Sequence, residues 1–191
     1  MRIPTVQNSV WLWTALLSFI TCYGCEKPKL TDEKPKPTAV LETTKGEIAI
    51  ELYPEAAPKT VENFITLIQQ GFYNGLTFHR YAPDFVIQGG DPTGNGRGGP
   101  GWAIYGEFQD PELRAKMPKH EKGVVAMARK GTPNSAGSQF YICLNPDPDR
   151  YNHLEGDYTT FGRVIEGLDV VDRLRKGDKM NKLTLKHYPP Q

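Results

Sequence analysis

The stretch TFHRYAPDFVIQGGD, Thr77 to Asp91, decides how the folded part of this chain is read. Apolar and aromatic residues run through it, so it reads as a strand bound for a core, yet it carries Arg80 and Gln88. A buried guanidinium is costly unless paired, because it keeps its charge at any ordinary pH. Taken alone, Arg80 is best explained as a half-buried residue pairing with an acid such as Asp84 or Asp91.

Working outward, the neighbouring segments are short and extended. AVLETT and EIAIELY flank Thr44-Lys45-Gly46, and Ile48, Ile50 and Leu52 alternate with polar neighbours, which predicts a hairpin with one buried face. PKTVENFITLIQQGF then predicts a helix. Pro58 suits its first turn, Val61, Phe64, Ile65 and Ile68 share a face, and Gly71 suits its C-terminal cap. Asn74-Gly75 turns the chain into the opening stretch. Beyond it, GGDPTGNGRGGPGW leads to the strand-like WAIYGEF, and KGTPNSAG joins the strand candidates GVVAMAR and SQFYICL. TTFGRVI is another strand. GLDVVDRLRKG is a short helix with Leu168, Val171 and Leu174 on one side, and KLTLKHY closes as an alternating strand. No internal repeat is present. Short strands joined by turns outnumber helices, so the expectation is an antiparallel β fold with two helices.

Bulk properties agree with that picture. Hydrophobic residues make up 38% and charged residues 24%, which fits a soluble globular chain with one proper core. Gly (19) and Pro (16) are plentiful, which favours turns over long helices. A net charge of +1 supplies no electrostatic basis for a nucleic-acid partner.

The N-terminus reads as targeting sequence. Arg2 precedes the apolar run VWLWTALLSFI, Val10 to Ile20, which has the length of a signal-peptide core and is short for a membrane span. It ends in TCYGC, and Gly24 followed by Cys25 resembles the lipobox of bacterial lipoproteins, with Cys22 where an aliphatic residue is usual. Ordinary signal cleavage nearby is the rival. EKPKLTDEKPKPT, Glu26 to Thr38, has too little apolar surface to offset ordering entropy and is expected to be an extended tether. The division expected is a signal over residues 1–24, a tether over 25–38 and one domain over 39–191, exported to the cell envelope or periplasm and anchored through lipid at Cys25. Cys22 and Cys25 lack the βαβ surroundings of a redox motif, and Cys143 in QFYICL reads as a small buried thiol.

Other chemistries fail on spacing. Gly94-x-Gly96-x-x-Gly99 matches a dinucleotide fingerprint formally, but Pro100 and Gly101 follow where a helix must begin, and no Walker lysine is present. His79, His120, His153 and His187 are scattered without metal-ligand spacing, and Ser135 and Ser138 do not form a nucleophile elbow. No cofactor or metal is expected.

TFHRYAPDFVIQGGD, then GNGRGG, AMARKGTPNSAGSQFYI and HLEGDYTTFGRV, resemble the cyclophilin family of peptidyl-prolyl cis–trans isomerases in content, order and spacing, from about Ala39 to about Tyr188. The pairing of F-H-R…Q-G-G-D with G-S-Q-F is highly specific. The resemblance implies a closed eight-stranded antiparallel β-barrel capped by two α-helices, an enzyme acting on X-Pro bonds and proline-containing polypeptides as partners; a monomer is expected. It implies that Arg80 is the catalytic arginine and Gln88 its partner glutamine, with Phe85 and Val86 on the wall of the proline pocket. Ala128 and Arg129 fall on the edge that pairs with substrate backbone, Gln139 on the second glutamine, Tyr141 on the pocket floor and Leu154 on the pocket leucine. Tyr141 stands where Phe is usual, so its hydroxyl must find a partner or face the opening. His153 and Tyr158 stand where many eukaryotic members have Trp and His, positions at which bacterial members vary. The alternative is a catalytically weak module of the same fold that binds Pro-containing segments.

Overall fold

The computed structural model describes Met1 and residues 36–188. The signal segment, Cys25 and most of the tether therefore lie outside the described residues. Among those described, no helix is long and apolar enough to cross a membrane.

Within the described residues eight strands form one sheet: β1 (Thr38–Thr43), β2 (Gly46–Leu52), β3 (Arg80–Ala82), β4 (Val86–Gly89), β5 (Val124–Met127), β6 (Phe140–Cys143), β7 (Thr160–Glu166) and β8 (Met180–Lys186). Their order across the sheet is β3-β4-β6-β5-β7-β2-β1-β8, with every neighbouring pair antiparallel. The expected hairpin is β1–β2, in register from Thr38 opposite Glu51 to Thr43 opposite Gly46.

The opening stretch is not one strand but two. Pro83, Asp84 and Phe85 turn it back on itself, with Asp84 in the left-handed region at φ 55° and the Phe85 N–H donating to the Ala82 carbonyl at 3.1 Å. Proline presets the backbone for the turn and aspartate tolerates the left-handed position better than most residues, so the break is local chemistry hidden within an apolar run. WAIYGEF, by contrast, forms no strand. It makes a single bridge, Ile104 to Ala136, and then enters a 3-10 turn at Glu107–Gln109.

The expected closed barrel is not formed. β3 and β8 are the two edges of the sheet. Closure stops at a short seam before them, where Thr77 bridges Lys179 and the backbone of residues 75–78 bonds that of 177–180. β3 begins only after this seam. Along β8 the Leu183 N–H is taken by the Asn74 side chain at 3.0 Å, where a closing strand would have supplied a carbonyl.

Among the described residues three α-helices accompany the sheet rather than two: α1 (Pro58–Gln69), α2 (Pro111–Arg114) and α3 (Leu168–Arg173). The extra one is a single turn whose cap, Asp110, accepts from the N–H groups of Glu112 and Leu113. α1 buries Val61, Phe64, Ile65 and Ile68 as its periodicity requires. It ends in a Schellman motif, with Gly71 at φ 68° and the Phe72 N–H donating to Leu67 at 3.0 Å. α3 buries Val170, Val171 and the following Leu174, whereas Leu168, in its first turn, stays 38% exposed. That side chain projects back toward the preceding turn, over Gly123, instead of into the core.

The sheet separates two apolar clusters. Ile87, Val125, Met127, Phe140 and Ile142 join α1 and α3 in the main core, while Val86, Val124, Ala126, Tyr141 and Cys143 face the other way with Tyr151 and Leu154. Strands β4, β5 and β6 thus alternate between two buried faces.

α1 has Ala57 at its N-cap, which has no side chain to bond the first amides. Glu107 does so from far along the chain, accepting from Lys59 N at 2.8 Å and Thr60 N at 2.9 Å while 2% exposed. A carboxylate at a helix N-terminus satisfies orphan donors and opposes the helix dipole. Replacing Glu107 with Ala is expected to cost about 2–4 kcal/mol in urea unfolding, and Gln, which can accept only one of the two bonds, roughly half of that.

Candidate active site

Strand register assembles the site. Arg80 stands opposite Gln88, Gln88 opposite Tyr141, and Tyr141 opposite Ala126. Residues directly opposite one another point to the same face, so one row across four strands carries a cation, an amide, a phenol and a methyl group. Gln139, two residues before Tyr141, lies on that face as well. Three bonds link the polar members. Arg80 Nη1 donates to Gln88 Oε1 (3.2 Å), Gln88 Nε2 to Gln139 Oε1 (3.0 Å), and Gln139 Nε2 to the Gly98 carbonyl (2.9 Å). Arg80 itself is exposed, and among the described residues it forms no ion pair with Asp84, Asp91 or any other acid.

Asp91 is engaged elsewhere. Its 1% exposed carboxylate accepts from Thr93 Oγ1 and the Thr93 N–H (both 2.8 Å) and the Asn95 N–H (3.0 Å), and it holds the Gly96 N–H too. Burial alone would raise its pKa, but these bonds and that from Gly98 outweigh burial and hold it at about 2. Asp91 therefore shapes the Gly-rich loop that presents the Gly98 carbonyl to Gln139.

Beside the row lies the second apolar cluster. Val86 and Leu154 are buried in it, with Phe85, Ala128 and Tyr158 packed half-buried against it. Phe85 stacks with Tyr151 (centroids 5.6 Å apart, 20°) and with His153 (5.5 Å, 23°), and the Arg80 guanidinium lies 5.9 Å from its ring centre. Tyr151 is buried and fixes the turn after β3, its hydroxyl donating to the Phe85 carbonyl at 2.8 Å. Arg129 is tied down, its Nε donating to the Asp157 carbonyl (2.8 Å) and its guanidinium 4.7 Å from the Tyr158 ring centre. An open groove of about 550 Å³ continues from Gln88, Gln139, Ala128 and Arg129 toward the loop at residues 96–103.

The Tyr141 hydroxyl finds its partner below the floor, in His120 Nε2 at 2.9 Å. His120 is 1% exposed and bonds Glu155 Oε1 through Nδ1 at 3.1 Å, which places the imidazole proton on Nδ1 and leaves Nε2 to accept. Desolvation lowers the His120 pKa, against an upward pull from Glu155, and burial pushes the Tyr141 phenol far up, so both are neutral near pH 7. The hydroxyl is thus turned away from the apolar pocket. His120, Glu155, Tyr151 and Asp91 were not singled out as site residues from sequence; the demand for a partner to Tyr141 was the one signal pointing to His120. Cys143 is a buried thiol whose pKa burial raises to about 12. Among the described residues no group of three or more His, Cys, Asp or Glu side chains stands close enough to hold a metal ion.

This geometry belongs to a family of known chemistry. Residues 38–188 match the family model described as cyclophilin-type peptidyl-prolyl cis–trans isomerase. Peptidyl-prolyl cis–trans isomerase ppi1 of Schizosaccharomyces pombe is 51% identical over 134 residues, which cover 70% of this chain and 82% of that protein. A peptidyl-prolyl cis–trans isomerase of Synechococcus elongatus is 47% identical over 144 residues, covering 74% and 91%. A Cryptosporidium parvum cyclophilin-type isomerase crystallised in the presence of the dipeptide Ala-Pro superposes with a TM-score of 0.66 at 27% identity, covering 78% of this chain and 98% of that one. The chain belongs to the cyclophilin-type peptidyl-prolyl cis–trans isomerases.

Because a buried imidazole is held neutral, its contribution to stability is complete above its ordinary value of 6.5 and is lost as pH falls through its lower folded value. An NMR titration is expected to place His120 below 6.5. Tyr141→Phe removes the donor to neutral Nε2 and should move that titration upward, while urea unfolding at pH 7 loses about 1–3 kcal/mol.

Proposed function

We propose that Arg80 and Gln88 carry the isomerase chemistry and that the wall of Phe85, Val86, Tyr141 and Leu154 holds the proline ring. An X-Pro bond rotates slowly because twisting breaks amide resonance, against a barrier of roughly 18–20 kcal/mol. In the twisted state the prolyl nitrogen becomes pyramidal and gains a lone pair. A guanidinium donating toward it stabilises the transition state more than the planar ground state, which is the condition for catalysis. No covalent intermediate, cofactor or metal enters this scheme. Arg suits the task because its planar fork can donate to substrate while Gln88 accepts another of its N–H groups.

The observation that carries the reading is the Arg80–Gln88 bond at 3.2 Å, set in a chain of amides beside an apolar pocket. Gln139, itself held by the Gly98 carbonyl, orients Gln88, so the guanidinium is positioned before substrate arrives. The backbone near Ala128 and Arg129 would hold one side of the substrate while the other rotates. Tyr141 was the one departure that could favour a binding module without turnover. Its hydroxyl is bonded to His120, so the pocket face it offers is that of a phenylalanine. Turnover of an Ala-Pro peptide is expected to fall roughly 100-fold or more in Arg80→Ala with circular dichroism unchanged. A folded wild-type chain that does not exceed the uncatalysed rate would sink the assignment.

The substrates proposed are X-Pro bonds in exported proteins, met by a monomeric domain held at the cell envelope or periplasm through lipid on Cys25. Support comes from the sequence: an apolar signal core, Gly24-Cys25 at its end, then a polar tether before β1. Mass spectrometry of the mature protein is expected to find a diacylglyceryl-modified Cys25 as the first residue, and an N-terminus at any other residue rejects the anchor.

A further inference from the structure

Trp102 and Tyr105 are 47% and 52% exposed, the two large aromatic side chains left most open among the described residues. Trp102 is nevertheless held in place. Its indole N–H donates to Asn63 Oδ1 at 2.8 Å, and the other end of the same amide donates to the Gly137 carbonyl at 2.8 Å. Asn63 is 9% exposed and sits on α1, so a core helix holds an indole whose face remains open. Trp102, Ile104 and Tyr105 form one wall of a cleft of about 440 Å³, and Lys59, Glu62, Asn63 and Thr66 of α1 form the other. Trp102 also lines the groove that begins at Gln88 and Gln139, so the two concavities share this residue.

An aromatic wall that is rigid before binding loses little conformational freedom when it is covered. Singly exposed apolar residues are ordinary, but two aromatics lining one cleft that shares Trp102 with the groove beside Gln139 are not explained by folding. We infer that this cleft is a specificity site for an apolar or aromatic side chain of the substrate, on the part of the chain that runs from the proline past Gln139 and over Trp102. The inference rests on the assignment of the groove as the substrate channel. The occupant is apolar because Lys59 and Glu62 neutralise each other across 2.9 Å at the cleft edge, leaving no net charge to select a charged residue.

A series of peptides with one Ala-Pro bond in an otherwise Ala and Ser background, with a single Phe moved from two to seven residues from the proline on either side, tests this. For each, kcat/KM with the full chain is divided by that of the peptide lacking Phe. One register is expected to give a ratio of about ten, equivalent to about 1.4 kcal/mol. The ratio should return to about one in Trp102→Ala. It should also fall in Tyr105→Ser, a variant that leaves the Trp102–Asn63 bond intact and so guards against a loop that simply rearranges. A ratio near one at every register, or a gain that survives both variants, overturns the inference. So does a change in sedimentation of the protein caused by Trp102→Ala, which would make the occupant a second copy of this chain. Absence of turnover even of the peptide lacking Phe would instead reject the enzyme assignment beneath it.

Discussion

The register of β3 against β4 is the constraint on which the site depends. A turn of Pro83, Asp84 and Phe85 places Arg80 opposite Gln88, and the ladder from β4 to β6 extends the row to Tyr141. Side chains alternate with period two, so a slip of one residue would send Arg80 to the opposite face and bring Tyr81 to Gln88. The turn is itself held from outside. Tyr151 donates to the Phe85 carbonyl, Asn145 donates to that of Asp84, and the Leu144 N–H reaches Phe85 as well. The position of Arg80 is thus secured by backbone carbonyls on a turn, and among the described residues no acid pairs with its cation.

Two carboxylates are committed to backbone N–H groups rather than to cations. Glu107 caps α1 and Asp91 gathers the amides of the Gly-rich loop. Each is nearly excluded from solvent, where bonds to several N–H groups offset the cost of burying charge. Among the described residues, Arg80 is therefore left without an acid partner beside an apolar cluster, as the proposed chemistry requires. A guanidinium locked against a carboxylate would have fewer N–H groups to offer a developing lone pair.

Burial on both faces of β4, β5 and β6 allows the same strands to serve stability and chemistry. One face completes the main core against α1, and the other forms the floor of the second apolar cluster. His120 and Glu155 finish that floor by turning the Tyr141 hydroxyl away from it. A polar atom is thereby made compatible with an apolar pocket at the cost of an additional buried histidine.

Much of this was legible in the residues. The β1–β2 hairpin, α1 with its Gly71 terminus, and β8 carry periodicity that depends only on neighbours in sequence, so they could be read directly. The motifs around Arg80, Gln88 and Gln139 named the side chains that the sheet brings together. What could not be read has two sources, a local turn masked by apolar neighbours and partners distant along the chain. Arg80 read as a buried residue in need of an acid because the turn after Ala82 is hidden in an apolar run, and WAIYGEF read as a strand although Glu107 is drawn away to cap a helix some fifty residues earlier. GVVAM and FYIC show no alternation because both faces are buried, and sequence does not reveal which residues face the pocket. The open seam between β3 and β8 likewise depends on where residues 75–78 meet 177–180, a matter of tertiary register. Local pattern determined most of the strands and helices, because those follow from backbone preference and spacing, and the motifs shared with the family named the side chains able to do chemistry. Only packing decided which face each strand presents, which amide each carboxylate holds and where the Tyr141 proton points, because those are settled by contacts between residues far apart in sequence.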